Sequence, residues 1–182
     1  MMTSRPNNNT YWVQEGRLLA GEYPGAANEA QAAIKLEQFL DSGIDYFIDL
    51  TEEGELHPYA NQLQAIAEQR RKKVVHRRFS IPDESIPASA AQMHDILHCL
   101  RQALTEGHVV YVHCYGGIGR TGTVTGCYLQ EELGSTEAAL KELALLWQQM
   151  EKKTRWPATP ETSEQLDWIK AWPQSSITKI EK

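Results

Sequence analysis

Residues 108–124, HVVYVHCYGGIGRTGTV, run from an apolar, β-branched stretch straight into a glycine-rich turn and then into a helical pattern. A strand that feeds a helix through a few glycines is half of a crossover unit, and such units build parallel sheets covered by helices on both faces. The rest of the chain repeats the alternation. A hairpin is expected at WVQEGRLLAG, turning at Glu15-Gly16, followed by a helix over 28–42 that Gly43 ends. YFIDL (46–50) reads as a short buried strand, Tyr59, Leu63, Ile66 and Ala67 share one helical face, and VVHRRF (74–79) reads as a second strand. Met93, Ile96, Leu97, Leu100 and Leu104 repeat the helical stripe over 89–105, and HVVYVHC is a third strand ending at Cys114. Beyond the glycines, helices are expected over 120–133, 136–150 and 160–171, the last with Thr159 as its N-cap and Pro160 in its first turn. The length of 182 residues suits one domain, 1–182, of the α/β class: a central, mostly parallel sheet flanked by helices on both faces, with an ordered core from about Tyr11 to Trp172. In such a sheet the ligand site lies beyond the carboxyl ends of the strands, which is where residues 114–120 fall.

The loop fits two chemical patterns. From Gly117 it reads GIGRTG, a literal G-x-G-x-x-G. A dinucleotide site also needs an acidic residue about twenty positions on, at the tip of a second strand. Glu137 has the separation but follows Gly134-Ser135 at the start of a helix. A triphosphate loop fails as well, because Thr123 rather than lysine follows Gly122.

From Cys114 the same residues read as a cysteine, five residues and an arginine. A cysteine attacks only as thiolate, and a ring of inward backbone N–H groups backed by a helix N-terminus favours that form. Tyr115, Gly116, Gly117, Ile118, Gly119 and Arg120 would supply the ring, with the three glycines free to adopt the positive φ angles of a tight anion nest. Arg120 can grip two phosphoryl oxygens with its planar fork. Thr121 can donate its hydroxyl to the sulfur and stabilise it as a leaving group.

HCYGGIGRTG resembles, at all ten positions, the H-C-x-x-G-x-G-R-[ST]-G signature of cysteine-dependent protein tyrosine phosphatases, and the short length is most similar to their dual-specificity branch. The resemblance implies a phosphatase fold and a phosphocysteine intermediate, and it gives His113 the task of ordering the loop and favouring the thiolate. It also implies an acid on a loop before the helix that precedes the nucleophile's strand. FSIPDESIP supplies Asp83 there, 31 positions before Cys114, and its Ile-Pro-Asp is similar to the acid loop of compact dual-specificity enzymes. Asp83 would protonate the leaving oxygen and then activate water. Glu84 is the rival acid. TPETSEQLDWIKAW resembles the segment in which related enzymes carry a water-positioning glutamine, here Gln165.

The loop interior has no lysine or histidine, so phosphoinositides and inositol polyphosphates are disfavoured relative to a phosphorylated protein or a small phosphomonoester. Nothing resembles the long recognition loop of tyrosine-specific enzymes, which suggests a shallow site able to take phosphotyrosine, phosphoserine or phosphothreonine. Glu52, Glu53 and Glu55 would favour basic peptide flanks. A second reading is a silent phosphoprotein-binding module, whose mark would be a missing cysteine, arginine or acid.

No cofactor and no metal are implied. His94 and His98 fall on the polar side of their helix, and Cys99, Cys114 and Cys127 lack metal-ligand spacing. Their odd number suits a reducing, cytoplasmic setting, with Cys99 or Cys127 able to trap oxidised Cys114. A net charge of -6 argues against nucleic acid; the polar MMTSRPNNNT does not read as a signal peptide, and no apolar membrane span is expected. A monomer is expected. Trp156 is the one tryptophan expected near the site.

Overall fold

The computed structural model describes residues 3–173. Strands β1 (Thr10–Gln14), β2 (Leu18–Gly21), β3 (Tyr46–Asp49), β4 (Val75–Arg78) and β5 (Val110–His113) form one sheet in the order β1-β2-β5-β3-β4. β1 and β2 make the expected hairpin, with Gly16 at φ +70 in its turn; every other pairing is parallel. The α/β expectation is met.

Alternation along the strands divides the core in two. Phe47, Tyr111 and Leu19 face helices α1 (Glu29–Asp41) and α2 (Ala60–Gln69), where they pack with Leu36, Phe39, Leu40, Tyr59 and Leu63. Tyr46, Ile48, Val110 and Val112 face the other way, toward α3 (Ala90–Thr105), α4 (Arg120–Leu133) and α6 (Ser163–Ala171), and meet Met93, Leu97, Val124, Cys127 and Ile169. Helix α5 (Thr136–Trp147) lies against α4 and reaches β1, with Trp147 fully buried beside Tyr11.

Local signals explain most boundaries. Asn28, Ser89 and Ser135 each cap a helix by accepting from the third backbone N–H, and Gly134 at φ +66 ends α4. Two boundaries differ from expectation. Helix α5 stops at Trp147 and a 3-10 turn, Glu151–Thr154, follows. Helix α6 starts at Thr162, not Thr159: the Thr162 hydroxyl accepts from Gln165 N while Gln165 Oε1 accepts from Thr162 N, and this reciprocal box outcompetes a lone cap. Residues 3–9 also belong to the packed structure, since Arg5 donates to the Gln149 carbonyl at 2.8 Å and Trp12 Nε1 to Thr3 O at 3.0 Å.

Candidate active site

The parallel register lines up Gly21, His113, Asp49 and Arg78 at the carboxyl edge of the sheet. The residues that follow them, Glu22, Cys114, Thr51 and the Ile81–Asp83 loop, therefore converge at one end. Cys114 follows β5 directly and is 3% exposed. The loop from Cys114 to Gly119 then opens α4, with Arg120 in the first helical position.

The cradle is braced from outside through its carbonyls. Cys114 O accepts from His113 Nδ1 (3.0 Å), Tyr115 O from Tyr23 N (2.9 Å), and Gly116 O from Lys152 Nζ (2.7 Å). Ile118 O accepts from Thr159 Oγ1 (2.6 Å), and Gly119 O from Thr123 N (2.9 Å) and Oγ1 (2.8 Å). Five carbonyls committed outward leave the amides between them free for an anion. Close approach requires two of the glycines. Gly117 sits at φ +73, and a Cβ there would lie 2.4 Å from the Gly21 carbonyl carbon; one at Gly119 would lie 2.8 Å from Gln165 Nε2.

Arg120 is 1% exposed, and both of its terminal nitrogens are engaged. Its Nη1 donates to Glu55 Oε2 (2.8 Å) and Ile81 O (2.9 Å), and its Nη2 to Glu55 Oε1 (2.7 Å) and Asp83 Oδ1 (2.9 Å). Burial disfavours its charge, but the Glu55 carboxylate reverses this and raises the guanidinium above its ordinary value. The same hydrogen bonds hold Glu55 below the usual carboxylate range. Glu55 thus orients the arginine rather than extending toward a peptide, while Glu52 and Glu53 stay exposed. Asp83 Oδ1 also accepts from Glu84 N (3.0 Å), and Glu84 holds φ +54, a left-handed kink that turns the acid loop.

His113 is buried, and burial lowers its pKa. Since the Cys114 carbonyl can only accept, Nδ1 carries the proton, and Nε2 accepts from the Tyr59 hydroxyl at 2.6 Å. Burial alone would raise the neighbouring Asp49 carboxyl, yet bonds from His76 (3.0 Å) and from the Thr51 hydroxyl (2.6 Å) and amide (2.9 Å) hold it low. Arg78 adds a 3.0 Å contact to the same carboxylate. The ring behind the nucleophile is therefore neutral and fixed in one tautomer.

The cavity over Cys114, about 370 Å³, is lined by Asp83, Glu84, Cys114, Tyr115, Arg120 and Trp156 among others. Glu22, Lys152 and Glu161 also line it, and none of the three was singled out from the sequence. Trp156 is where it was expected. Lys152 reaches the loop from the 3-10 turn and pairs with Glu22 Oε2 at 2.9 Å, a contact between residues 130 positions apart that no local pattern announces.

Two expected roles meet different surroundings. Gln165 is fully buried: Oε1 accepts from Glu161 N and Thr162 N (3.1 Å each), and Nε2 donates to Ser85 O (2.9 Å). Its amide fastens the acid loop to the start of α6, and one Nε2 N–H stays uncommitted on a nitrogen 2.8 Å from where a Gly119 Cβ would lie. The Thr121 hydroxyl is buried with no hydrogen-bond partner among the described residues, so its bond to sulfur is not made in this structure. Cys127 lies in the core, where burial pushes its thiol well up, and Cys99 Sγ sits 3.2 Å from the Tyr46 hydroxyl. No metal-binding group of histidine, cysteine and carboxylate side chains occurs among the described residues, and none of their helices is long and apolar enough to cross a membrane.

A parallel sheet with a cysteine at the foot of an outward-braced anion cradle, an arginine in the next helix turn and an aspartate loop above them defines a cysteine-based protein tyrosine phosphatase fold of the dual-specificity type. The chain belongs to the family described as polymorphic toxin system, DSP-PTPase phosphatase, whose sequence pattern matches residues 22–132. It is 37% identical over 87 residues to mouse tyrosine-protein phosphatase non-receptor type 9, covering 37% of this chain and 15% of that protein. It is 30% identical over 140 residues to the putative tyrosine phosphatase 197R of Invertebrate iridescent virus 6, covering 73% of this chain and 46% of the viral protein. The chain thus spans less than half the length of either. Among solved structures it is similar to the active form of Tk-PTP, with a TM-score of 0.67 and 27% identity over 92% of this chain and 97% of that one.

Proposed function

We propose that the chain hydrolyses phosphate monoesters by way of a phosphocysteine on Cys114. The observation that carries this reading is the cradle itself: five outward carbonyls, inward amides and a buried arginine around one buried cysteine. The Cys114 thiolate attacks phosphorus, the ester P–O bond breaks, and the departing oxygen takes a proton from Asp83. Arg120 holds Asp83 before substrate arrives; a phosphoryl group that takes over the guanidinium releases the aspartate toward the leaving oxygen. Thr121 has an unused hydroxyl with which to stabilise the sulfur as it leaves.

The substrate is a phosphorylated protein or small phosphomonoester. Four carboxylates, Glu22, Asp83, Glu84 and Glu161, line the cavity against two cations, Arg120 and Lys152, and Lys152 is already paired with Glu22. A polyanionic inositol phosphate would meet net repulsion there. Three free cysteines suit a reducing, cytoplasmic setting.

The test is hydrolysis of 4-nitrophenyl phosphate in EDTA and reductant by the parent, Cys114→Ser and Asp83→Asn. Turnover lost in Cys114→Ser with phosphate binding retained is the expected result. Asp83→Asn loses on the order of 10²-fold on an alkyl phosphate and far less on the nitrophenyl ester. Phosphopeptide binding without any turnover by the parent would instead establish a silent binding module.

A further inference from the structure

Resting on that reading, we infer that Trp156 determines specificity at this site: with Tyr115 it forms the wall that receives the aromatic ring of the leaving group, so that aryl phosphates, phosphotyrosine among them, are taken ahead of phosphoserine and phosphothreonine. Among the described residues five large apolar side chains are exposed, and only two of these are aromatic, Tyr115 at 59% and Trp156 at 37%. Both line the cavity over Cys114. Aromatic surface left in water is unfavourable, and its confinement to the cavity that holds the nucleophile marks a place where a ligand covers it.

Trp156 is held in place for this task. Its N–H donates to Lys152 O at 2.8 Å, and its carbonyl accepts from Nε1 of the buried Trp147 at 2.8 Å. The Arg155 guanidinium lies 4.7 Å from the centre of the indole ring, a cation–π contact that restricts the side chain further. A ring on two torsions, fastened through its backbone on both sides, presents its surface at little entropic cost. The wall also supplies what the charges of the cavity do not. Four carboxylates set against two cations disfavour a highly charged leaving group, whereas a phenol ring is neutral and gains from burial and from edge-to-face or offset contact with the indole. Phosphoserine and phosphothreonine have no ring to place against the wall, and their binding draws on the cradle alone.

The experiment is calorimetric titration of the parent, Trp156→Ala and Trp156→Phe with phenylphosphonate and with methylphosphonate. Neither ligand has an ester bond to cleave, so binding is read without chemistry, and comparing proteins on one ligand cancels the different ionisation of the two acids. The changes sit on an exposed side chain, and folding is checked by circular dichroism. The expected result is that Trp156→Ala weakens phenylphosphonate about ten-fold and methylphosphonate less than about two-fold, while Trp156→Phe recovers most of the loss. In turnover, the preference in kcat/KM for a phosphotyrosine over a phosphothreonine peptide of the same sequence should fall about ten-fold in Trp156→Ala. Unchanged phenylphosphonate binding in Trp156→Ala, an equal loss for both phosphonates, or a Trp156→Phe no better than Trp156→Ala overturns the assignment. The equal loss would show that the turn merely supports the cradle through Lys152. A parent that discriminates between the phosphonates but turns over no ester overturns the hydrolytic reading and leaves the wall standing, so the two failures are distinguishable.

Discussion

Replacing Glu55 by glutamine removes the charge that Arg120 leans on while keeping the side chain's size. Arg120 is 1% exposed and Glu55 is 18% exposed at the side chain, so the pair is poorly screened from one side only. One carboxylate oxygen becomes an amide N–H₂. If it replaces Oε2, it sets donor against donor at Arg120 Nη1 (2.8 Å) and at Glu52 N (2.9 Å). Arg120 keeps Ile81 O and Asp83, but Asp83 is 60% exposed and its attraction is screened. Losing a hydrogen bond to a charged group costs about 1.5–3 kcal/mol, and the partial exposure of Glu55 places the expected destabilisation near about 2 kcal/mol.

The assay is urea unfolding of parent and Glu55→Gln, with and without saturating phosphate, across pH. Glu55 is held below its ordinary value, so its contribution is full above about pH 5 and fades as pH falls through the depressed folded value. The gap between the two proteins should therefore be full at neutrality and close in acid. Bound phosphate gives Arg120 a substitute anion and should narrow the gap at neutral pH. Equal stability of the two proteins at neutrality, or a gap indifferent to both acid and phosphate, would refute the argument that Glu55 supports the arginine.

Gly117→Ala must leave φ +73 or push a Cβ to 2.4 Å from backbone, so the cradle should rearrange; phosphate binding measured by calorimetry should be lost while the circular dichroism spectrum is kept. Tyr59→Phe deletes the 2.6 Å donor to His113 Nε2 and leaves a buried acceptor unpaired, at a cost of about 1–3 kcal/mol. Because burial lowers His113, that ring already withdraws stability as pH drops below its ordinary value, and the variant, whose orphaned Nε2 accepts a proton more readily, should lose less between about pH 7 and pH 5.

The parts legible in the sequence were those set by neighbours along the chain. Strand runs, helical stripes and the glycine loop each declare themselves within a few residues; Cys114 and Arg120 stand out by the spacing of that loop, and Asp83 by the likeness of its segment to the family's acid loop. Misplacing the start of α6 had a local cause: Thr159-Pro160 is a fair opening signal, but Thr162 and Gln165 three residues apart are a better one. The unannounced part of the site is tertiary. Glu55 was expected, with Glu52 and Glu53, to face basic peptide flanks, and only the fold, which brings it 65 positions along the chain to Arg120, gives it a partner. Lys152, Glu22 and Glu161 sit in ordinary polar contexts and gain meaning only where the 3-10 turn and the start of α6 fold back over the loop.

The outward bracing of the cradle has a consequence for when this chain becomes competent. Its donors come from Tyr23 after the hairpin, His113 on the central strand, Thr123 within α4, Lys152 on the 3-10 turn and Thr159 before the last helix. A molecule with the sheet formed but residues 150–160 undocked would own the nucleophile and lack two of the five fasteners. The cradle is therefore complete only when residues 150–160 are docked, and a single cut in that stretch is expected to weaken phosphate binding while the sheet stays intact.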